Sequence, residues 1–167
     1  MSGFHSEALA PRHDRSTFTC GVLILDEYLR TRATQDMRRY SAAVFVLLRD
    51  DEPTRIAGFY TLSAFSVELE SVPGTAARGL GRYPVVPSIL IGRLARRTSF
   101  PGLGATLLMD AITRCVRQSD AIGASLIAVD AKDERARAFY ERHGFLSLKS
   151  APMRLVLPMK TAAMVVG

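Results

Sequence analysis

The sequence predicts an α+β fold in which helices flank a mixed, mostly antiparallel central sheet. Residues 43–49 and 55–70 are apolar, β-branched or aromatic segments separated by the turn-forming run Asp50-Asp51-Glu52-Pro53, which is typical of two consecutive strands. Residues 88–130 contain an apolar strand, a glycine turn, a helical stripe and a second apolar strand, which indicates a strand–helix–strand unit. No repeat and no linker interrupts the 167 residues, so one domain spanning 1–167 is expected.

The first half of the chain is expected to hold two strands and two helices besides an N-terminal segment. Residues 1–17 form either a short first strand or a loose arm. Apolar side chains recur every four residues at 18–34, which predicts a helix, and a second short helix is expected at 35–40. Residues 55–70 form one long strand or two strands joined by a bend. The segment 71–87 is rich in proline and glycine, which predicts a surface loop with a helical turn at 74–78.

The second half of the chain has clearer boundaries. Residues 89–95 form a strand, and an apolar stripe of helical spacing follows the glycine turn at Gly102 and Gly104. Asp133 is placed to cap a helix at its N-terminus, and Gly144 to end the same helix. The remaining elements are a strand at 124–130, the capped helix at 134–143, a strand from Phe145, a last strand at 153–158 and a C-terminal tail at 160–167.

Composition limits the classes of protein that fit. A hydrophobic content of 48% with 23% charged residues is that of a folded protein, and the net charge of +6 favours a polyanionic partner. The two cysteines, Cys20 and Cys115, provide neither a disulfide framework nor metal-ligand spacing, so a reducing, cytoplasmic compartment and no metal are expected. The three histidines are expected at the surface. No apolar stretch approaches the length of a membrane span, so no contact with a membrane is predicted.

The glycine turn at residues 99–105 is a candidate anion site. A helix that begins at such a turn presents unpaired N–H groups and the positive end of its dipole, and a pyrophosphate is a common ligand there. The turn is too short for the loop GxxxxGK[ST], and it lacks the third glycine of the dinucleotide fingerprint. Neither nucleotide-binding fold therefore fits.

Several motifs taken together resemble one family. A glycine-turned helix is followed by a strand and then by a second helix that contains Phe139-Tyr140 and is followed by Gly144-Phe145. This order of elements and motifs resembles the GNAT acetyltransferase superfamily. More narrowly, five blocks from Phe18 to Met159 resemble the GNAT toxins of type II toxin–antitoxin modules. The blocks are Phe18-Thr19-Cys20-Gly21, Leu25-Asp26-Glu27-Tyr28-Leu29, Gly58-Phe59-Tyr60-Thr61-Leu62-Ser63-Ala64, Gly92-Arg93-Leu94-Ala95 and Arg154-Leu155-Val156-Leu157-Pro158-Met159.

This resemblance implies acetyl-coenzyme A as the co-substrate. The superfamily motif [QR]-x-x-G-x-[GA] falls on residues 99–104, where Ser99 replaces the usual Gln or Arg and Pro101 has no N–H to donate. One lost phosphate hydrogen bond weakens binding about tenfold, and Arg96 or Arg97 is expected to compensate. The expected contacts with the co-substrate come from Leu94, Ala95, Arg96, Ser99, Gly102, Leu103, Gly104, Ala105, Asp133 and Ala136.

The same resemblance implies the two catalytic groups. The Leu94 N–H is expected to stabilise the oxyanion, and Tyr140 to protonate the departing thiolate, because the pKa of a phenol lies near that of a thiol. No general base is visible, which favours an α-amino substrate, whose pKa is near 8, over a lysine side chain.

The candidate contacts with the amine substrate are arginines: Arg30, Arg38, Arg78, Arg82 and Arg93. The arginines on the first two helices form either a nucleic-acid contact or a solvated face. Arg93 is expected either to contact an RNA phosphate or to form a buried or half-buried ion pair.

The resemblance implies a homodimeric toxin that acetylates the α-amino group of aminoacyl-tRNA, blocks translation and is neutralised by a cognate antitoxin. Two alternatives stay open at this point. One is a GNAT enzyme acting on a small amine or a protein N-terminus. The other is a degenerate, non-catalytic GNAT module, disabled at Ser99 and Pro101, that only binds an antitoxin or RNA.

Overall fold

A computed structural model describes residues 3–167 of the chain. The order of its strands and helices agrees with the expected α+β class. The strands are β1 Phe4–Ala8, β2 Ala43–Arg49, β3 Glu52–Glu68, β4 Val85–Arg96, β5 Leu126–Asp130, β6 Leu146–Ser147 and β7 Arg154–Pro158. The helices are α1 Leu23–Thr31, α2 Ala33–Arg38, α3 Gly74–Ala77, α4 Leu103–Ile122, α5 Glu134–Arg142 and α6 Met159–Val166, with a 3-10 turn at Leu69–Ser71.

The strands hydrogen-bond in the order β1-β2-β3-β4-β5-β7-β6. The pairs β1–β2, β2–β3, β5–β7 and β6–β7 are antiparallel, whereas β4 and β5 are parallel. Since α4 connects the two parallel strands, the predicted strand–helix–strand unit is confirmed, and so is the mixed, mostly antiparallel sheet.

The fold divides into two compact units. The first contains the chain up to Ser63 together with Gly92–Ala111, and the second contains Ala64–Ile91 together with Ile112–Gly167. The core of the first is lined by Leu9, Phe18, Tyr28, Leu29, Ala33, Val44, Val46, Leu48, Ile56, Phe59 and Ala95. The core of the second is lined by Val67, Val72, Ala76, Val86, Leu126, Ala128, Leu148 and Val156.

The first helix is shorter than the sequence predicted. It begins at Leu23 rather than near Phe18, because Gly21 has φ +83° and interrupts any helix at that position. The Cys20 N–H donates to the buried Asp26 carboxylate at 2.9 Å, which fixes the loop before the helix. Phe18 is buried in the core of the first unit from this loop.

The N-terminal segment takes the first of its two expected forms, whereas His13 and the C-terminal segment differ from expectation. The N-terminal segment contains a strand, β1, and His13 within it is buried rather than at the surface, as its ring bonds to the Ala10 N–H and the Glu7 carboxylate at 2.9 and 2.7 Å. The segment 160–167, expected as a tail, is mostly the helix α6. Met159 and Ala162 on one face of α6 are buried, so apolar packing stabilises this helix without a side-chain cap.

Candidate active site

The N-terminus of α4 has the features of an anion site. Gly102 precedes it with φ +84°, a conformation that glycine adopts without strain. The Leu103 N–H donates to the Phe100 carbonyl at 3.3 Å, while Gly104 and Ala105 lie in the first turn, where an N–H has no carbonyl four residues earlier within the helix. No acidic side chain lies in that turn. The turn therefore suits a diphosphate, and acetyl-coenzyme A carries one.

The two arginines before this turn differ in what they can reach. Arg97 is buried, and its guanidinium donates to the carbonyls of Ile56 and Thr17, both at 2.8 Å. Burial, together with the charge of Arg55, lowers the pKa of this guanidinium. Arg97 therefore ties strand and loop together and is not placed to replace the lost phosphate bond. Arg96 is half-buried and makes long contacts, at 3.4 and 3.5 Å, to the carbonyls of Arg97 and Phe100.

The backbone of β4 near Leu94 lies beyond the part of this strand that pairs with β5. The register of β4 with β5 covers Ser88–Ile91 and does not extend to residues 92–96. Leu94 is half-buried and Ala95 is buried. Such an edge can accept an extended ligand as an added strand, which is the arrangement expected for the pantetheine arm.

Arg93 stacks on an aromatic ring. Its guanidinium carbon lies 3.6 Å from the centroid of the Tyr28 ring, and the Tyr28 hydroxyl donates to the Asp36 carboxylate at 2.8 Å. Within residues 3–167, no carboxylate lies within 4.0 Å of the Arg93 guanidinium. Of the two alternatives for Arg93, the ion pair is therefore absent among the described residues, and the guanidinium makes a cation–π contact instead.

Asp133 and Ala136 lie at the start of α5. The Asp133 carboxylate accepts a hydrogen bond from the Ala136 N–H at 2.8 Å, so it is the predicted N-cap of this helix. Gly144 follows the helix with φ +92°, as expected for a residue that ends it. These two local signals position the helix that carries Tyr140.

Tyr140 is a buried phenol. It is 8% exposed, and its ring packs against Phe139 and Phe145 at centroid distances of 5.4 and 5.7 Å. Burial, and to a smaller extent the negative charge of Asp130, raises the pKa of Tyr140 to about 12. The hydroxyl therefore stays protonated throughout the physiological range.

Asp130 and Arg154 were not predicted as site residues. The Arg154 guanidinium donates to both carboxylate oxygens of Asp130, at 2.6 and 2.9 Å, and lies 4.7 Å from the centroid of the Phe65 ring. The two residues face each other in the β5–β7 register. Arg154 opens the last of the five resemblance blocks, which was the one signal in the sequence that pointed to it.

The other predicted arginines are exposed. Arg30 and Arg38 lie in the last turns of α1 and α2, in the first unit. Arg78 follows α3, and Arg82 lies in the loop before β4, both in the second unit. Ser99 and Pro101 are also exposed, in the turn before α4.

Two further observations concern metals and membranes. Over residues 3–167, no three His, Cys, Asp or Glu side chains converge as a metal site would require. None of the helices described is both long enough and apolar enough to cross a bilayer.

Known proteins resemble the chain along its whole length. No protein-family model matches it. A tRNA-acetylating toxin of Mycobacterium tuberculosis is 38% identical over 170 residues, and the alignment covers 100% of this chain and 99% of that toxin. The probable toxin TacT of Sinorhizobium fredii is 31% identical over 172 residues, covering 96% of this chain and 94% of TacT.

Solved structures of toxins share the fold. AtaT complexed with acetyl-methionyl-tRNAfMet superposes with a TM-score of 0.88 at 27% identity, covering 98% of this chain and 99% of AtaT. AtaTR bound with AcCoA superposes with a TM-score of 0.82 at 28% identity, with 100% of both chains covered. A mutant AtaT bound to the C-terminus of the antitoxin AtaR also gives 0.82 at 28% identity, with 98% of both chains covered. Because it is 38% identical along its whole length to a tRNA-acetylating toxin, 31% identical to the probable toxin TacT, and shares the fold of the toxin AtaT, the chain belongs to the GNAT acetyltransferase toxins of toxin–antitoxin modules.

Proposed function

We propose that this chain transfers the acetyl group of acetyl-coenzyme A to the α-amino group of aminoacyl-tRNA and thereby blocks translation. The observation that carries the proposal is the 38% identity, over the whole chain, to a tRNA-acetylating toxin. AtaT, with the same fold, has been solved with acetyl-methionyl-tRNAfMet and with AcCoA, which supports both substrates. An N-acetylated aminoacyl group has no free amine to attack the peptidyl ester, so translation stops.

The main chain of the first unit binds and polarises the thioester. The amides of Gly104 and Ala105 at the start of α4 hold the diphosphate, where the helix dipole favours negative charge. The backbone of β4 beyond its register with β5 aligns the pantetheine arm, and the Leu94 N–H donates to the carbonyl oxygen as it becomes an oxyanion. Removal of one such donor lowers kcat about 100-fold in enzymes that use this device.

Tyr140 supplies the proton for the departing thiolate. A phenol with a pKa of about 12 is a weak acid beside an ordinary thiol, whose pKa is near 8.5. Burial, however, raises the pKa of a thiol as well as that of a phenol. The buried Cys115 thiol of this chain is an example, because its pKa rises to about 12 in the apolar interior. A thiolate that forms in an equally dry site is therefore basic enough to take the phenolic proton.

The amine needs little help from the protein. An α-amino group with a pKa near 8 is roughly one-quarter neutral at pH 7.5, and an ester on the same carbon skeleton lowers its pKa further. A lysine side chain at about 10.4 is almost wholly protonated at that pH. The α-amine of a charged tRNA is therefore the substrate that this chemistry accepts most readily.

The partners follow from the same family. We propose that a cognate antitoxin neutralises the chain, since AtaT has been solved with the C-terminus of AtaR. We place the reaction in the cytoplasm, where charged tRNA is found, and we expect a homodimer. Size-exclusion chromatography with light scattering tests the homodimer directly.

The deciding experiment measures acetyl transfer to charged tRNA with radiolabelled acetyl-coenzyme A. The wild-type chain is expected to label aminoacyl-tRNA, and Tyr140→Phe to lose at least 100-fold in kcat while still binding acetyl-coenzyme A. Tyr40→Phe is the matched control, because it also removes a phenolic hydroxyl but from a side chain that is 95% exposed. Labelling of small amines or peptide N-termini with no labelling of charged tRNA would contradict the proposal, and so would a chain that binds acetyl-coenzyme A without any transfer.

A further inference from the structure

The Tyr28 ring is held rigidly in the core of the first unit. It is 5% exposed and stacks on the Phe59 ring, with centroids 6.3 Å apart and an interplanar angle of 12°. Its hydroxyl donates to the Asp36 carboxylate at 2.8 Å, which links α1 to α2. The ring therefore has a fixed position, set by packing at its face and by a hydrogen bond at its end.

This ring carries the Arg93 guanidinium, whose central carbon lies 3.6 Å from the ring centroid. A carboxylate that accepts the phenolic proton makes the ring more electron-rich, so Asp36 strengthens the attraction for the cation on its face. Burial and the bond to Asp36 also raise the pKa of Tyr28 to about 12, which keeps the phenol neutral under physiological conditions. The ring on which Arg93 stacks is thus uncharged in that range.

Stacking leaves the edge of the guanidinium available. A guanidinium has five N–H donors arranged in its plane, and a ring on its face does not use them. In the part of the chain that the structure describes, no hydrogen bond or ion pair engages the Arg93 side chain, which is half-buried. A planar fork of donors with one face immobilised is suited to an oxyanion that offers two oxygens, such as a carboxylate or a phosphate.

The surroundings favour RNA as the source of that phosphate. Residues 22–40 of α1 and α2 expose four arginines against a single exposed carboxylate, Glu27, because Asp26 and Asp36 bind to groups of the protein. The exposed arginines are Arg30, Arg32, Arg38 and Arg39. The helices that fix the Tyr28 ring thus also carry the positive charge that attracts a polyanion.

We propose that Tyr28 and Asp36 are positioning residues that hold the Arg93 guanidinium so that it binds a phosphate of the substrate, and that this phosphate belongs to the charged tRNA. The inference rests on the proposed function and adds a recognition contact to it. Phosphate is also present in acetyl-coenzyme A, so the test has to separate the two sources.

The test compares Arg93→Ala, Tyr28→Leu and the double variant in steady-state acetylation of charged tRNA. We expect each single variant to raise KM for charged tRNA about tenfold with little change in kcat, and the double variant to be no worse than either. The salt slope of RNA binding is expected to fall by about 0.7 to 0.9 in all three, the value for one lost phosphate contact. KM for acetyl-coenzyme A is expected to stay unchanged.

Controls separate positioning from folding. Tyr28→Phe keeps the ring and the packing but loses the bond to Asp36, so it is expected to raise KM for charged tRNA by only about twofold to threefold. Arg93→Lys keeps the charge but loses the fork, and it is expected to bind RNA several-fold more weakly. Arg117→Ala removes one exposed guanidinium from α4 and measures the effect of net charge alone, which is subtracted.

Three results would overturn the inference. These are multiplicative effects of Tyr28→Leu and Arg93→Ala in the double variant, an increase confined to KM for acetyl-coenzyme A, and an unchanged salt slope in well-folded variants. Failure of the proposed function gives a different result, namely no labelling of charged tRNA by the wild-type chain. Binding of uncharged tRNA, measured by fluorescence anisotropy against salt, then still tests the contact of Arg93 with phosphate.

Discussion

The Arg154 guanidinium donates to both oxygens of the Asp130 carboxylate, at 2.6 and 2.9 Å, and the charge of Asp130 acts on the buried Tyr140 hydroxyl. Arg154 therefore offsets the charge that makes the phenol harder to ionise. Asp130→Asn is expected to lower the pKa of Tyr140 from about 12, although burial keeps it above 10. Arg154→Gln leaves the carboxylate without its cation and is expected to raise the pKa further.

Ultraviolet titration of the phenol tests both directions. The signal of Tyr140 is obtained as the difference between each variant and the same variant carrying Tyr140→Phe. Opposite shifts in Asp130→Asn and Arg154→Gln support the arrangement. A fall in the pKa of Tyr140 in Arg154→Gln would contradict it.

Cys115 makes the stability of the chain sensitive to alkali. Its thiol is fully buried, and burial raises its pKa from 9.0 to about 12, a shift that Arg114 only partly opposes. The unfolded thiol ionises near pH 9 whereas the folded thiol does not, so the unfolded state is favoured increasingly as the pH rises from 9 to 12. The free energy of unfolding is expected to fall by about 1.4 kcal/mol per pH unit within this window from Cys115 alone.

Urea unfolding at pH 8 and pH 10.5 measures this contribution. Cys115→Ala is expected to be less stable than wild type at pH 8, by about 1 kcal/mol for the lost packing, and to lose about 2 kcal/mol less between the two pH values. Cys115→Ser has no thiol and is expected to show the same flattening. An unchanged pH dependence in both variants would exclude the buried thiol as its cause.

Elements whose signals lie within a few residues were predicted well. The apolar run of β2 and the Asp133 cap of α5 give nearly the observed bounds, because strand propensity and capping act locally. The start of α1 was predicted too early because the apolar periodicity does not reveal where the helix begins. The positive φ of Gly21 and the hydrogen bond from the Cys20 N–H to Asp26 hold the preceding residues in a loop. The helix α6 was missed because no capping side chain marks its start and its burial depends on the tertiary fold.

In the candidate site, too, local motifs were predicted well and contacts that depend on the tertiary fold were not. The superfamily motifs led to Tyr140 and the glycine turn, and one of the five blocks contains Arg93, but the sequence did not reveal the cation–π contact that Arg93 makes. The Asp130–Arg154 pair joins two strands that are far apart in the sequence, and only the β5–β7 register brings them face to face. Roles that depend on which strands are neighbours cannot be read from local patterns.

Gly58 is expected to tolerate no side chain, since it lies against β4. A Cβ there would meet the Ala95 carbonyl oxygen at 3.1 Å and two methyl groups of Leu107 at 3.2 and 3.3 Å. Gly58→Ala is therefore expected to displace β4 at Ala95, to cost about 1 to 3 kcal/mol of stability and to raise KM for acetyl-coenzyme A. Chemical denaturation and steady-state kinetics measure the two effects.

Gly123→Ala provides the matched comparison for Gly58. Gly123 has φ +79°, and a Cβ added there would have no neighbouring atom within 4 Å, so alanine adds backbone strain of about 1 kcal/mol without a clash. This variant is expected to lose stability while keeping KM for acetyl-coenzyme A. If both variants shift that KM equally, the effect of Gly58→Ala follows from lower stability and not from the position of β4.

Pro101 gives a prediction in which affinity and stability change in opposite directions. It is exposed, immediately precedes Gly102, and has no N–H to offer a phosphate. Pro101→Ala restores one donor and is expected to tighten acetyl-coenzyme A binding up to about tenfold, while the freer unfolded chain lowers stability by about 0.4 to 1 kcal/mol. Isothermal calorimetry measures the affinity for acetyl-coenzyme A, and thermal melting measures the stability. The control is Pro53→Ala, in an exposed part of β3, which is expected to lower stability without changing the affinity. Unchanged or weaker binding in Pro101→Ala would show that the amide at this position does not point at the diphosphate.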